Sequence, residues 1–436
     1  MTSEPPGDYE RADRMLISAR QGQALSVLIR SIHGRSHFYT RKLDSAGIDT
    51  ALPIRVPDEL DRLPLTTKAE LVADQEASPP WGSVLSEPID RYVRYNHTSG
   101  TTGRPLRWLD TAVSWQWAVD CWKAVYGGAR VGAADRIFFA FSFGPFFGFW
   151  TAYDAAVQIG AHCVPAGGMS SQQRLMLLES VRPTVVCCTP TYALRLAEVS
   201  ASTGATHRLR EAGVRVVIVA GEPGGSIPAT RRRIEQAWGA RVIDHHGLTE
   251  VGPISFECWE SPGFLHLNET AFICEVLDPA TLRPVPDGTL GELVVTNLGR
   301  TANPVIRYRT GDLVVRRSTA CACGRTFAQL DGGVQARVDD MVTIRGVNVY
   351  PTAIEAVVRR FDDVVEFRAT VSNTGTLRAL GVEIEAVGGS EGTDIVARRV
   401  ANEIQESVGL AVNVTAVPEG TLPRFEMKAR RFVVKP

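Results

Sequence analysis

Four hydroxyls, two glycines and a cation fall within the eight residues Thr98-Ser99-Gly100-Thr101-Thr102-Gly103-Arg104-Pro105. The glycines let the backbone turn tightly, and exposed N–H groups in such a turn form a concavity that takes anions. No Gly-Lys-Ser/Thr ends the run, so it is not a Walker A loop; by composition alone it fits a polar surface loop equally well. Sulfur offers a second chemistry. Cys258 and His266 are separated by seven residues, and Cys321 and Cys323 follow in a Thr/Ala/Gly/Arg turn with no apolar run to pack. Three thiolates and an imidazole suit a closed tetrahedral Zn2+ site. Four protein ligands leave no position for substrate, so this zinc is expected to be structural, clipping the Cys258–His266 loop to the Cys321 turn. The C-x-C spacing is tighter than the common one. Cys121, Cys163, Cys187, Cys188 and Cys274 lie in apolar surroundings and read as small packed hydrophobes.

Further along stand Gly221-Glu222-Pro223, His246-Gly247-Leu248-Thr249-Glu250, Tyr308-Arg309-Thr310-Gly311-Asp312 and Arg337-Val338-Asp339-Asp340. Ile344-Arg345-Gly346-Val347-Asn348-Val349-Tyr350-Pro351 and Pro423-Arg424-Phe425-Glu426-Met427-Lys428 complete the series. A Thr-Glu pair after a strand would by itself mark a helix start. Together, in this order, the segments resemble the adenylate-forming superfamily of acyl-CoA synthetases, peptide-synthetase adenylation domains and luciferases. The short chain and the wording of 344–351 are most similar to phenylacetate–CoA ligase and its relatives, some of which also carry paired cysteines before a Gly-Arg.

That resemblance implies roles residue by residue. Thr98, Ser99, Gly100, Thr101, Thr102, Gly103 and Arg104 would hold the ATP phosphates, with Arg104 where the family usually has Lys. Thr249 would contact phosphate and Glu250 would hold Mg2+, which favours one or two carboxylates beside phosphate oxygens. Gly221, Glu222 and Pro223 would meet adenine. Asp312 would accept both ribose hydroxyls, as an acceptor-only carboxylate can, with Arg337 nearby. Asp339 would be the pivot and Gly346 would line the thiol channel, while Lys428 would be the catalytic lysine. Ala336 and Met427 stand where glycine is usual. The implied reaction forms an acyl-adenylate from a carboxylic acid and ATP, then transfers the acyl group to a thiol, that of coenzyme A or of a carrier-protein phosphopantetheine.

Phe141, Phe143 and Gly144, with His245, His246 and Gly247, correspond to the family's acid pocket. Phe141-Ser142-Phe143-Gly144-Pro145-Phe146 holds no acid to pair with an α-ammonium, and burying that charge unpaired costs several kcal/mol on the order of other desolvated ions. An aryl or arylacetic acid is the expected substrate. A stand-alone enzyme loading a carrier protein is one alternative. A nucleotide-binding sensor that has lost catalysis is another, which intact Glu250, Asp312 and Lys428 disfavour.

The elements that must position these residues alternate. Helical spacing runs from Met15 to Ala46, and Ser171–Val181, Thr191–Ala201 and Ile227–Ala237 read as helices. Strands are expected at Val185–Cys188, Val214–Ala220 and Arg241–Asp244, which is the pattern of α/β layering around a parallel sheet. Ala271–Leu277, Gly291–Thr296 and Asp312–Arg316 suggest an antiparallel, barrel-like section. The fold class is thus α/β with α+β elements, a large domain over residues 1–338 and a small, mobile C-terminal α+β domain over 339–436. Lys+Arg total 47 against 48 Asp+Glu, so no electrostatic reason points to nucleic acid or an anionic membrane. The longest apolar stretch, about 14 residues at Ile137–Trp150, is short of the roughly 20 that span a bilayer. Met1–Arg14 lacks the apolar core of a secretory signal, and the expected setting is the cytoplasm. A homodimer is suggested only by relatives.

Overall fold

The computed structural model describes residues 8–98, 105–202, 206–345, 347–374, 377–387, 390–425 and 428–435. The expected phosphate-loop residues Ser99, Gly100, Thr101, Thr102, Gly103 and Arg104 lie outside the described residues, as does Gly346. The opening apolar pattern folds as two helices, α1 (Arg14–Ile32) and α2 (His37–Ser45). They part because Gly34 takes a φ of +78° and Ser36 caps α2, its hydroxyl accepting from the Tyr39 N–H. Helix α3 (Lys68–Ala77) opens with a Thr67/Glu70 capping box. Strands β1 (Tyr92–His97) and β2 (Arg107–Thr111) then pair antiparallel, flanking the hydroxyl-rich segment.

After α4 (Ala112–Gly128) the chain alternates through β3 (Arg136–Phe139), α5 (Phe147–Gln158), β4 (His162–Pro165), α6 (Ser171–Val181) and β5 (Val185–Cys188). It continues through α7 (Pro190–Ser202), α8 (Thr206–Glu211), β6 (Val216–Val219), α9 (Pro228–Trp238) and β7 (Arg241–Leu248). Strands β3 to β7 pair parallel with one another. Every residue of β5 and β6 is buried, as a parallel strand covered on both faces requires. Ile137 and Phe139 pack with α4 and α5 on one face, while Phe138 packs with α6, α7 and α9 on the other. Strands β8 (Gly252–Glu257), β9 (Phe264–Leu267), β10 (Phe272–Leu277), β11 (Leu290–Asn297), β12 (Tyr308–Arg317) and β13 (Gln329–Arg337) pair antiparallel. The section expected as barrel-like continues into the parallel strands through β7, giving one eleven-stranded sheet. Among the described residues, no pairing closes it on itself.

Beyond Asp339 come the β14 (Val342–Ile344) and β15 (Val347–Val349) pair, α10 (Pro351–Val358), β16 (Val364–Thr374) and β17 (Leu377–Ala386). Helix α11 (Ser390–Val408), β18 (Asn413–Val417) and β19 (Phe432–Val434) follow, and the four-stranded sheet runs β18-β17-β16-β19. Val396, Ala397, Val400 and Ile404 put the apolar stripe of α11 into a cluster that starts at Val342 and includes Leu410. Among the described residues, no helix is long and apolar enough to cross a membrane.

Candidate active site

The carboxyl ends of β3, β5, β6 and β7 open at one edge of the parallel sheet, where ligand crevices form in open α/β sheets. They lead into Phe141–Phe143, Thr189, Gly221–Pro223 and the Thr249–Glu250 turn. Glu250 is buried and accepts a hydrogen bond from the Tyr308 hydroxyl at 2.8 Å. Burial, then the charge of Glu250, raises the Tyr308 phenol and keeps it a donor. The Thr249 carbonyl accepts from Arg300 Nη1 at 2.6 Å. Arg300 is fully buried, lies over the Phe147 ring, and forks onto both oxygens of Asp110 in β2 at 2.7 and 2.5 Å. Sequence reasoning missed this pair, which ties the Glu250 turn to the strand leaving the hydroxyl-rich loop. Thr98 closes the neck of that loop: its N–H donates to Leu106 O and its hydroxyl oxygen accepts from Leu106 N, both at 3.0 Å. The His97 N–H donates to Pro145 O, joining the neck to the aromatic turn.

Asp312 accepts from Arg337 Nη1 at 2.7 Å, and its second oxygen lies 3.0 Å from His246 Nε2. Each oxygen retains another acceptor direction, leaving room for hydroxyl donors. Arg337 also donates to Asp339 at 2.9 Å, so the expected ribose and pivot residues are in contact. His245 and His246, paired in the sequence reading, are not brought to one place. His245 bonds the Ser255 carbonyl at 2.7 Å, its ring lies 4.4 Å from that of Trp122, and burial pushes its pKa down to about 4. Gly247 is required by close approach, since a Cβ there would lie 2.7 Å from Gly252 O. Phe141 stacks on Phe149 at 4.1 Å, and Phe143 packs on Trp150 and Tyr153. Gly144 O accepts the Trp150 indole N–H at 2.9 Å. The acid on α5, Asp154, is engaged by Arg94 at 3.0 Å and the Trp115 indole at 2.8 Å.

Lys428 comes to this edge between two anchors. On one side Glu385 accepts from Leu422 N at 2.5 Å and from the Arg424 fork at 3.2 and 2.6 Å. On the other, Ala369 N donates to Arg431 O at 2.7 Å, just before β19 runs parallel to β16. Gly221, at φ +94°, leaves space there: a Cβ would meet Lys428 Cε at 3.4 Å. Glu222, expected at adenine, uses one oxygen on Thr191 N at 2.9 Å and the other on Ala429 N at 2.8 Å. Its side chain therefore docks the lysine segment, a role the sequence reading did not assign. Burial lowers the pKa of Lys428, opposed chiefly by Glu222 and also by Asp312 and Glu250, while Arg337 reinforces the lowering. The ammonium thus lies in the field of charged residues from the 221–223, 246–250, 308–312 and 337–340 segments.

The sulfur cluster forms as expected. Cys258, at the end of β8, His266 in β9, and Cys321 and Cys323 in the β12–β13 connection bring their ligand atoms within 4.8 Å of one another. Cys258 and Cys321 sulfurs are 3.6 Å apart, and Cys323 Sγ is 3.5 Å from His266 Nε2. A tetrahedron with zinc-ligand bonds of about 2.3 Å to sulfur and about 2.0 Å to nitrogen needs edges of about 3.7 and about 3.5 Å. The donor set fits zinc in both type and spacing. A hydrogen bond from Cys258 and the neighbouring His266 favour the thiolate at Cys323, the form a metal binds.

The AMP-binding enzyme family matches residues 37–301, and an AMP-binding enzyme C-terminal domain matches 346–435. A phenylacetate-coenzyme A ligase of Thermus thermophilus is 33% identical over 96% of each chain. One from Escherichia coli is 31% identical over 95% of this chain and 94% of its own. A solved 2-hydroxyisobutyryl-CoA ligase in the postadenylation state, in complex with R3-HIB-AMP, is 26% identical, with a TM-score of 0.93 over 100% of this chain and 95% of that one. The same ligase with 2-HIB-AMP and CoA in the thioesterification state is 28% identical, covers 100% and 94%, and reaches only 0.74. The arrangement seen here is nearer the first state.

Proposed function

The chain belongs to the AMP-binding enzyme family, in its phenylacetate–CoA ligase-like branch, and from that premise we propose that it ligates an aryl or arylacetic acid to coenzyme A. Its reaction class is ATP-dependent, AMP-forming acid–CoA ligation. A carboxylate oxygen attacks the α-phosphorus, the α–β P–O bond breaks and pyrophosphate leaves. The thiol sulfur then attacks the acyl carbon, its proton is released, and the acyl C–O bond breaks as AMP departs.

One observation supports the residue assignment above the others: Lys428 sits against Gly221 and within the field of Glu222, Asp312, Arg337 and Glu250. In this reading Lys428 bridges carboxylate and α-phosphate oxygens as negative charge builds between them. Asp312 accepts the ribose hydroxyls, steadied by His246 and Arg337, and the 98–104 loop cradles the phosphates. Glu250, oriented by Tyr308, would hold Mg2+, which supplies charge neutralisation at the departing pyrophosphate. Cys258, His266, Cys321 and Cys323 would hold a structural Zn2+. Residues 339–436 act as the small domain that turns about Asp339 between the two steps. The aromatic surfaces of Phe141 and Phe143, and an acid on α5 already committed to Arg94 and Trp115, favour an aryl acid over an α-amino acid.

The test is ATP–pyrophosphate exchange over phenylacetate, substituted benzoates, 2-hydroxyisobutyrate and amino acids, followed by CoA and carrier proteins offered in parallel. Exchange is expected with an aryl acid, and the acyl group is expected on CoA. Exchange with amino acids alone, transfer only to a carrier, or ATP binding without exchange would each replace this reading.

A further inference from the structure

Arg233 projects from α9 across the contact with the C-terminal unit. Its Nη2 lies 2.6 Å from the carbonyl oxygen of Val364 and 3.2 Å from those of Phe361 and Asp362. Its Nε is 4.0 Å from the Asp362 carboxylate, and only 16% of the side chain is exposed. The three carbonyls belong to the turn that follows α10 and to Val364, the first residue of β16, and Phe361 O also accepts the Val364 N–H at 3.0 Å. A planar cation suits such a cluster better than any neutral side chain. All three acceptors travel with the C-terminal unit, while the donor stays with α9.

The likeness to the 2-hydroxyisobutyryl-CoA ligase falls from 0.93 to 0.74 between its postadenylation and thioesterification states, so contacts across this boundary belong to one pose. Glu222–Ala429 and Arg431–Thr191 also cross it, but they adjoin the lysine itself and cannot separate docking from chemistry. Arg233 can. We propose that Arg233 is a positioning residue for adenylation, clasping the 361–364 turn so that Lys428 is delivered to the nucleotide site without Arg233 touching substrate. The inference rests on reading Lys428 as the adenylation lysine.

Full-length Arg233→Met and Arg233→Lys chains would be compared with the parent in three measurements. These are ATP–pyrophosphate exchange, thioester formation from supplied phenylacetyl-adenylate (or the adenylate of whichever acid exchanges), and small-angle X-ray scattering of the free protein. The methionine variant should lose about tenfold in exchange, the worth of one charge-assisted hydrogen bond. Its thioester formation should hold or rise, its scattering should move away from the closed profile, and lysine should restore part of each. Equal loss in both half-reactions would make the role merely structural, and unchanged exchange with unchanged scattering would remove it. If no acid supports exchange in the parent, the functional reading fails; the clasp then stands or falls on the scattering shift alone.

Discussion

Burial moves the Lys428 ammonium below the ordinary lysine range, with Glu222 as the chief opposing charge. Only the protonated form can bridge two anionic oxygens, so adenylation should be present below that lowered pKa and lost as pH rises through it. A pH–rate profile of exchange should show this alkaline limb. Lys428→Arg should abolish the limb, and Lys428→Ala should cut exchange by roughly 10²–10³ while sparing thioester formation from a supplied adenylate. His245 works through stability instead. Its folded pKa of about 4 lies below the unfolded value of about 6.5. Between these values only the unfolded chain binds the proton, so the contribution is complete above pH 6.5 and lost as pH falls toward 4. It amounts to about 3 kcal/mol. Denaturant melts should lose about 2 kcal/mol from this source between pH 7 and pH 5 in the parent and not in His245→Gln. The resemblance grouped both histidines with the acid pocket, and the strand was read only as far as Asp244. The strand runs to Leu248, and successive side chains on a strand face opposite sides, which sends His246 to Asp312 and His245 to Trp122.

At the scale of elements, the sulfur cluster joins the end of β8 to β9 and to the turn before β13, two residues from Arg325, which pairs with Glu10 near the start of α1. Metal bound only by the folded form stabilises that form, by an amount that grows with the logarithm of its affinity. Elemental analysis should find one zinc per chain. Strong chelation or Cys323→Ser should lower the melting temperature, with chelator adding little to the serine variant; zinc-free protein of unchanged stability would exclude the clip. The grouping of Cys321 and Cys323 with Cys258 and His266 was legible because the two thiols in a polar turn have no packing role to compete with ligation. Strands β5 and β6 were legible for a related reason, since continuous β-branched runs fit few environments other than a doubly covered sheet. The β1–β2 pair escaped notice: Tyr92, Arg94 and Asn96 show no apolar alternation, and only Asn96 among them is buried. Arg300 escaped because nothing in local spacing marks a partner 190 residues away. Short β18 and β19 gain their identity from pairing with β17 and β16, a tertiary cause that no window of sequence contains.

For the whole molecule, motif order exposed the superfamily and implied that Lys428 meets Gly221 at one nucleotide site, whereas the docking that holds the C-terminal unit there had no signal in the chain. It depends on Glu222 meeting Ala429, Arg431 meeting Thr191 and Thr352 meeting Gln335 O, pairings between residues of ordinary surface type. Each is a hydrogen bond or ion pair, and the C-terminal unit keeps its own apolar cluster from Val342 onward. A boundary held mainly by polar contacts can open without exposing either core, as domain motion requires. In the proposed reading rotation is absorbed near Asp339, whose side chain is 43% exposed and held by Arg337 in the ion pair that leads back to Asp312. Proline at that position would fix φ near −65° and remove the freedom to turn. Asp339→Pro should therefore leave pyrophosphate exchange within a few-fold of the parent while slowing thioester formation from supplied adenylate by well over tenfold, or about 1.4 kcal/mol for each decade. That is the reverse of the Lys428→Ala pattern, and single-turnover assays of the two variants side by side would reveal it. Loss of exchange in both would mean that the small unit serves adenylation in one fixed place and that the thiol enters by another route.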